Sequence, residues 1–217
     1  MDKIILKSVT KKIKGVTILE NINLEFQQGK IYGLCGYNGS GKTMLLRMIA
    51  GLIRPTEGEV LIGNKLLHKD IDFPESIGVL IETPNFWSSY TGREVLYSLA
   101  RIKNIIGMEE IDDALRRVNL IPDDMRVIKK YSLGMKQRLG IAQAIMEKPE
   151  ILLLDEPSNA LDKKSVDMVR SIIEEEKDRG AIVILASHNV DDLDVCDFVI
   201  EIEEGRIIEG DKHDEKE

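Results

Sequence analysis

The segment Gly36-Tyr37-Asn38-Gly39-Ser40-Gly41-Lys42-Thr43 constrains the fold of this chain more than any other part of it. It fits the pattern G-x-x-x-x-G-K-[ST], which works only where a strand runs into a loop and the loop into a helix. Both flanks are present. Lys30 to Cys35 reads as a strand, and Met44-Leu45-Leu46-Arg47-Met48-Ile49-Ala50 is a run of good helix formers stopped by Gly51 and, shortly after, Pro55. Glycines let the backbone curl so that its N–H groups converge on phosphate oxygens, and the helix N-terminus at Lys42 adds a favourable dipole. Lys42 brings positive charge to the β- and γ-phosphates, and the Thr43 hydroxyl can ligate Mg²⁺.

The remaining pattern places this unit in an α/β chain. Ile4 to Val9 and Ile18 to Phe26 are rich in β-formers, the second ending at the turn Gln28-Gly29; Glu59 to Ile62 and Ile77 to Ile81 read as further strands. From Gly92 to about Lys148 the spacing turns helical, with Val95, Leu96, Leu99 and Ile102 on one face and Ile111, Leu115 and Val118 on another. Charged residues interrupt these faces, so they read as a soluble helical insert. After Pro149 the alternation resumes with strand Ile151 to Leu154, a helix from about Lys163 to Lys177 with Val166, Val169, Ile172 and Ile173 inward, and strand Ile182 to Ala186. Short runs without polar interruption suit parallel strands covered on both faces. Phe198 to Ile202 and Arg206 to Ile208 flank Glu204-Gly205 as a closing hairpin, and the acidic end 211–217, with His213, reads as a solvated, frayed tail.

Two carboxylates follow the strand Ile151 to Leu154. Asp155 suits a Mg²⁺ shell, and Glu156 suits accepting a proton from water or positioning it for attack. Ser187-His188-Asn189 follows strand Ile182 to Ala186 at the sheet edge where open α/β folds bind ligands, and an imidazole there can contact a γ-phosphate. Tyr131-Ser132-Leu133-Gly134-Met135-Lys136-Gln137-Arg138 opens a helix that Ser132 can cap, which makes a second anion site or an ordinary capped helix. His68 reads as structural, and Cys35 and Cys196 as reduced thiols, since they lack metal-ligand spacing.

In this order the motifs resemble the ATP-binding subunit of an ABC transporter over nearly the whole chain. Tyr131 to Met135 resembles the family's signature segment, usually Leu-Ser-Gly-Gly-Gln; Ser158-Asn159-Ala160-Leu161-Asp162 resembles its D-loop, and His188 falls at its switch histidine. The resemblance implies one P-loop ATPase domain, 1–217, with a mainly parallel sheet and an N-terminal antiparallel β portion. Residues 1–83 and 149–210 would form the core, and 84–148 a helical subdomain carrying the signature. It also implies an ATPase using ATP and Mg²⁺, and a head-to-tail homodimer or heterodimer in which the signature residues Ser132, Leu133, Gly134 and Met135 face the partner's ATP. A separately encoded membrane permease would be driven from the cytoplasmic face.

Three departures from the family pattern bear on function. The signature has Leu133 and Met135 where glycine and glutamine are usual. Ile13 stands where an aromatic residue usually stacks on adenine, before the first long strand, which predicts a weaker base contact. Glu82 stands where the family usually has Gln; its carboxylate can still offer oxygen to Mg²⁺ or water but adds negative charge near the γ-phosphate. Glu82 and the Tyr-Ser-Leu-Gly-Met-Lys-Gln-Arg-Leu run resemble the branch of bacitracin- and lantibiotic-type peptide exporters of Gram-positive bacteria. A net charge of −8, no long basic patch and no second cassette argue against the alternative, a non-transport ABC ATPase on DNA or ribosomes. No nucleic acid is expected as a partner. A small-molecule kinase or GTPase would leave the signature and His188 unexplained.

Overall fold

A computed structural model describes residues 2–208; the acidic tail and His213 lie outside the described residues. Strands β1 (Lys3–Ile13) and β2 (Val16–Gln27) form a long antiparallel hairpin. Its turn residues Lys14 and Gly15 are both left-handed, at φ 49° and 84°, as a tight hairpin turn requires. β1 runs further than its apolar alternation predicts, because a bulge at Ser8 (φ 48°) shifts the inward register from Ile4 and Leu6 to Val9. With β4 (Glu57–Ile62) and β5 (Lys65–Leu66) the hairpin makes a four-stranded sheet in the order β2-β1-β4-β5.

The second sheet is six-stranded, in the order β10-β9-β3-β8-β7-β6. It comprises β3 (Lys30–Cys35), β6 (Ile77–Leu80), β7 (Ile151–Asp155), β8 (Ile182–Ala186), β9 (Phe198–Glu203) and β10 (Arg206–Ile208). All its pairings are parallel except β9 with β10. Every residue of β7 and β8 is buried, which is why Ile151 to Leu154 and Ile182 to Ala186 are unbroken apolar runs, with Asp155 the one buried carboxylate at the end of β7. One core lies between the sheets around helix α1 (Lys42–Ile49), with Ile4, Phe26, Leu45 and Ile184; the other lies on the opposite face, with Leu96, Leu115, Ile145 and Ile172.

That second core is covered by the insert, helices α2 (Gly92–Lys103), α3 (Met108–Arg117) and α4 (Leu133–Ile145), and by α5 (Lys163–Asp178). Thr91 and Glu94 exchange capping hydrogen bonds at the start of α2. The expected inward face of α2 needs one correction: Ile102 is 79% exposed. The buried stripe runs through Gly92, Val95, Leu96 and Ala100, and Ile102 falls at its margin beside an open groove. In α5, Val169, Ile172 and Ile173 are buried and Val166 is half-buried.

The insert is tied to α5 by charge. Arg117 bonds Glu175 and Glu176 at 2.8 and 2.9 Å, and Glu176, 2% exposed, also accepts Arg179 at 2.6 Å. Burial works against the charge on Arg117, but the hydrogen bonds from its guanidinium to the two carboxylates outweigh it and hold its pKa above the ordinary value. Cys196 is buried where β3 leaves no room, since a Cβ on Gly33 would stand 2.8 Å from its sulfur. Burial first, then the neighbouring Asp197, Asp194 and Asp192, push its thiol up to about 12.

Helix α4 sits directly on strand β6: a Cβ at Gly78 would lie 1.8 Å from the carbonyl oxygen of Ala144. Gly78→Ala must therefore push the helix off the sheet, at a cost of about 2–3 kcal/mol, or about 5–10 °C in Tm for a chain of this size. An unchanged melting curve would mean that the helix is seated less tightly than described.

Candidate functional site

The carboxyl ends of β3, β8 and β7 lie side by side, so the loop after β3, Asp155-Glu156 after β7 and Ser187-His188 after β8 meet at one sheet edge. Gly36 opens the loop at φ 140°, where a Cβ would lie 2.1 Å from the carbonyl oxygen of Ile202; Gly41 closes it at φ 116°, directly before α1. Only glycine passes these two points. Between them Gly39 is left-handed and the Tyr37 ring is exposed. Lys42 is buried and curls over its own loop, donating to the carbonyls of Gly36 at 2.6 Å and Tyr37 at 3.2 Å. The Ser40 hydroxyl oxygen is buried without a hydrogen-bond partner among the described residues.

Thr43 donates its hydroxyl proton to Asp155 Oδ2 at 2.7 Å. Burial raises the pKa of Asp155 above the ordinary carboxylate value, with Glu156 and Glu82 pushing the same way and the Thr43 hydrogen bond and Lys42 opposing it. Glu156 adopts the left-handed backbone at φ 50°. Its N–H donates to Ala186 O at 2.8 Å, and its carboxylate lies 2.8 Å from His188 Nδ1, accepts the His188 N–H at 3.1 Å, and accepts the Ser187 hydroxyl at 3.3 Å.

Glu82 is left-handed at φ 62°, 63% exposed, and paired with Arg47 of α1. Its carboxylate is not hydrogen-bonded to Thr43 or Asp155. It lines a cleft of about 260 Å³ with Thr83, Gln137, Asp155, Glu156 and Asn159. Ile13 differs from expectation in position: it ends β1, opposite Val16 in the hairpin, rather than preceding the first long strand.

Ser132 caps α4 by accepting the Met135 N–H at 3.1 Å; Leu133 projects outward, and Met135 packs on the insert core. A Cβ at Gly134 would lie 2.9 Å from the carbonyl oxygen of Ala160, so the start of α4 rests on the loop Ser158 to Asp162 of its own chain. In that loop Ala160 is left-handed at φ 62°, Leu161 is half-buried, and Asp162 caps α5 through the Ser165 N–H at 2.9 Å. His68 lies in a turn with its ring 3.2 Å from Ile53 O.

Sequence reasoning missed Arg47, Gln137 and Asp192 in this region. Asp192 is buried and accepts the hydroxyls of Ser187, at 2.8 Å, and Ser158. Among Asp191, Asp194 and Asp197 it reads as one more solvated acid. Gln137 stands between Lys136 and Arg138 but one helical turn before Gly140 and Ile141, and that shared face of α4 was the signal available for the buried amide.

The donor set fits a Mg²⁺-bound nucleoside triphosphate. Among the described residues no three His, Cys, Asp or Glu side chains are grouped to hold a metal. Thr43 and Asp155 offer one hydroxyl and one carboxylate, which suits Mg²⁺ shared with substrate phosphates, and the orphan Ser40 hydroxyl faces the same loop as the Lys42 ammonium. Fold and site together define a phosphate-loop nucleotide hydrolase.

Comparison with known proteins narrows this class. The model of the ABC transporter family matches residues 19–159. The uncharacterized ABC transporter ATP-binding protein YybJ of Bacillus subtilis is 50% identical over 94% of both chains. The bacitracin transport ATP-binding protein BcrA of Enterococcus faecalis is 38% identical over 94% of this chain and 67% of its own length. The lantibiotic transport ATP-binding protein SrtF of Streptococcus pyogenes is 33% identical over 98% of this chain and 92% of its own. The dimeric structure of MJ0796, a bacterial ABC transporter cassette, superposes with a TM-score of 0.87 at 26% identity, over 96% of this chain and 98% of that one. The chain belongs to the ABC transporter family as an ATP-binding subunit, an ATPase.

The raised pKa of Asp155 sets the sign of a stability effect. A buried acid whose folded pKa exceeds its unfolded value stabilises only while protonated, so at neutral pH its charge costs stability. Asp155→Asn should raise the Tm of the nucleotide-free protein at pH 7 by about 2–4 °C, roughly 1 kcal/mol. The difference should narrow as pH falls toward the ordinary Asp value, about 3.9. The same variant should lose the thermal stabilisation given by Mg²⁺-ATP, which differential scanning calorimetry can measure alongside.

Proposed function

We propose that this chain powers a separately encoded membrane permease by binding and hydrolysing Mg²⁺-ATP between two cassettes, in the service of antimicrobial-peptide export or resistance. The convergence of Lys42, the Thr43–Asp155 pair and the Glu156–His188 pair on one sheet edge carries this reading. Gly36 to Thr43 wrap the phosphates with backbone N–H groups, and Lys42 exchanges its carbonyl partners for phosphate oxygen. Thr43 and Asp155 hold Mg²⁺, with Glu82 available to it from the neighbouring cleft. Bound there, the ion neutralises phosphate charge. Glu156 orients the attacking water and takes its proton. His188 releases Glu156 and turns to the γ-phosphate. Ile13 flanks the base.

Ser132, Leu133, Gly134 and Met135 complete the site on a second copy or a related cassette, with the D-loop from Ser158 to Asp162 between the two. The dimeric state of MJ0796 and the outward Leu133 support this arrangement. An apolar groove of about 390 Å³ along the seam of core and insert supports the membrane partner. Leu52 and Phe73, each 57% exposed, line it with Leu99, Ile102 and Met146, a surface suited to an amphipathic segment of the permease at the cytoplasmic face of the membrane. No helix among the described residues is long and apolar enough to cross a membrane itself. The peptide cargo rests on the names of BcrA and SrtF.

Glu156→Gln should bind ATP with turnover reduced at least a hundredfold and accumulate as an ATP-bound dimer in size-exclusion chromatography. Isolated from detergent-solubilised membranes of its native cells with ATP and Mg²⁺, that variant should carry a polytopic membrane protein in stoichiometric amount. Recovery of ribosomes or DNA instead would overturn the transporter reading. Ser132→Arg should leave ATP binding by the monomer intact and abolish ATP-induced dimerisation; hydrolysis independent of protein concentration would sink the shared site.

A further inference from the structure

Glu156 occupies a backbone conformation that a residue with a side chain adopts only when its surroundings impose it: φ is 50°, in the left-handed region. On one side its N–H is held by Ala186 of β8 at 2.8 Å. On the other, Gln137 reaches across from α4 and donates its side-chain amide to the carbonyl of Glu156 at 3.1 Å and to that of Pro157 at 3.2 Å. Gln137 is 6% exposed, so without it the Pro157 carbonyl would lose a buried partner and the Glu156 carbonyl would be left with the Asn159 N–H at 3.2 Å. The next residues are fastened as well, Ser158 by Asp192 and Ala160 by the close approach of Gly134.

We propose that Gln137 is a positioning residue for hydrolysis: it fixes the carbonyls on either side of the Glu156-Pro157 bond and so aims the Glu156 carboxylate. Gln137 lies on the same helix as the signature, little more than one turn beyond Ser132, so the helix that offers Ser132 to a neighbouring cassette also holds the carboxylate of its own site. At 3.1 and 3.2 Å the two bonds tolerate only a small slip of α4 before they weaken. The proposal rests on the reading of Glu156 as the group that orients water.

The test compares Gln137→Met, which keeps length and packing but removes the donor, with Gln137→His, whose Nε2–H can stand near the position of the amide nitrogen. The Met variant should lower kcat about tenfold, keep KM and the Tm shift given by Mg²⁺-ATP within twofold of the parent, and produce no further loss in a Glu156→Gln background. The His variant should recover at least half of kcat. Gln137→Leu serves in place of the Met variant if the latter does not fold. A donor-less variant with kcat within twofold of the parent, a rise in KM alone, or the same additional loss in the Glu156→Gln background would each overturn the proposal. Full turnover by Glu156→Gln itself would instead overturn the underlying reading of Glu156.

Discussion

The parallel pairing of β3 with β8 and of β8 with β7 is the constraint on which the rest of this molecule depends. Both β7 and β8 are buried on both faces, so their register cannot slip without moving apolar side chains out of two cores at once. Because the three strands run the same way, their last residues reach one edge together. The loop at Gly36, the acids Asp155 and Glu156, and Ser187-His188 need no long-range device to find each other; the sheet delivers them. The Thr43–Asp155 hydrogen bond is then a short step from one strand's follower to another strand's end.

At that edge each charge required for nucleotide chemistry is already committed to a protein partner. Lys42 bonds loop carbonyls, Glu82 pairs with Arg47, and Glu156 lies against His188. The contacts differ in kind. The Glu82–Arg47 pair is solvent-exposed and contributes little to stability, whereas the Lys42 and Asp155 contacts are buried, where an unpaired charge is costly. A ligand with several phosphate oxygens can replace the Lys42 contacts without leaving that ammonium bare.

The strand, loop and helix around Gly36 to Thr43, the buried strands before Asp155 and Ser187, and the Ser132 cap were legible because each is a local pattern: glycine placement, unbroken apolar residues, a hydroxyl before a helix. What escaped was set by tertiary partners far away in the chain. β1 continues through Lys11 and Lys12, which pair with Leu19 and Thr17 of β2 and whose ammonium groups bond Arg54 O and Glu57, at 2.7 and 2.8 Å. The bulge at Ser8 hides the alternation. Ile102 satisfies the helical period yet lies at the margin of the buried stripe, which only the packing of α2 on its neighbours can define. Motif position puts Glu82 toward the Thr43–Asp155 pair, while Arg47, 35 residues earlier, engages its carboxylate. Asp192 stands among other acids and Gln137 between Lys136 and Arg138, so neither is marked as buried by its immediate neighbours.

The two thiols have a consequence for how this protein can be handled. Burial, before any charged neighbour, raises the pKa of Cys35 as it does that of Cys196. At about 12 for Cys196, the nucleophilic thiolate is roughly one part in 10⁵ at neutral pH. Cys196 is therefore nearly silent toward maleimides, whereas Cys35 is only half-buried, so replacing Cys35 would let a single cysteine introduced at an exposed position such as Leu133 take a fluorophore or spin label on an essentially dark background.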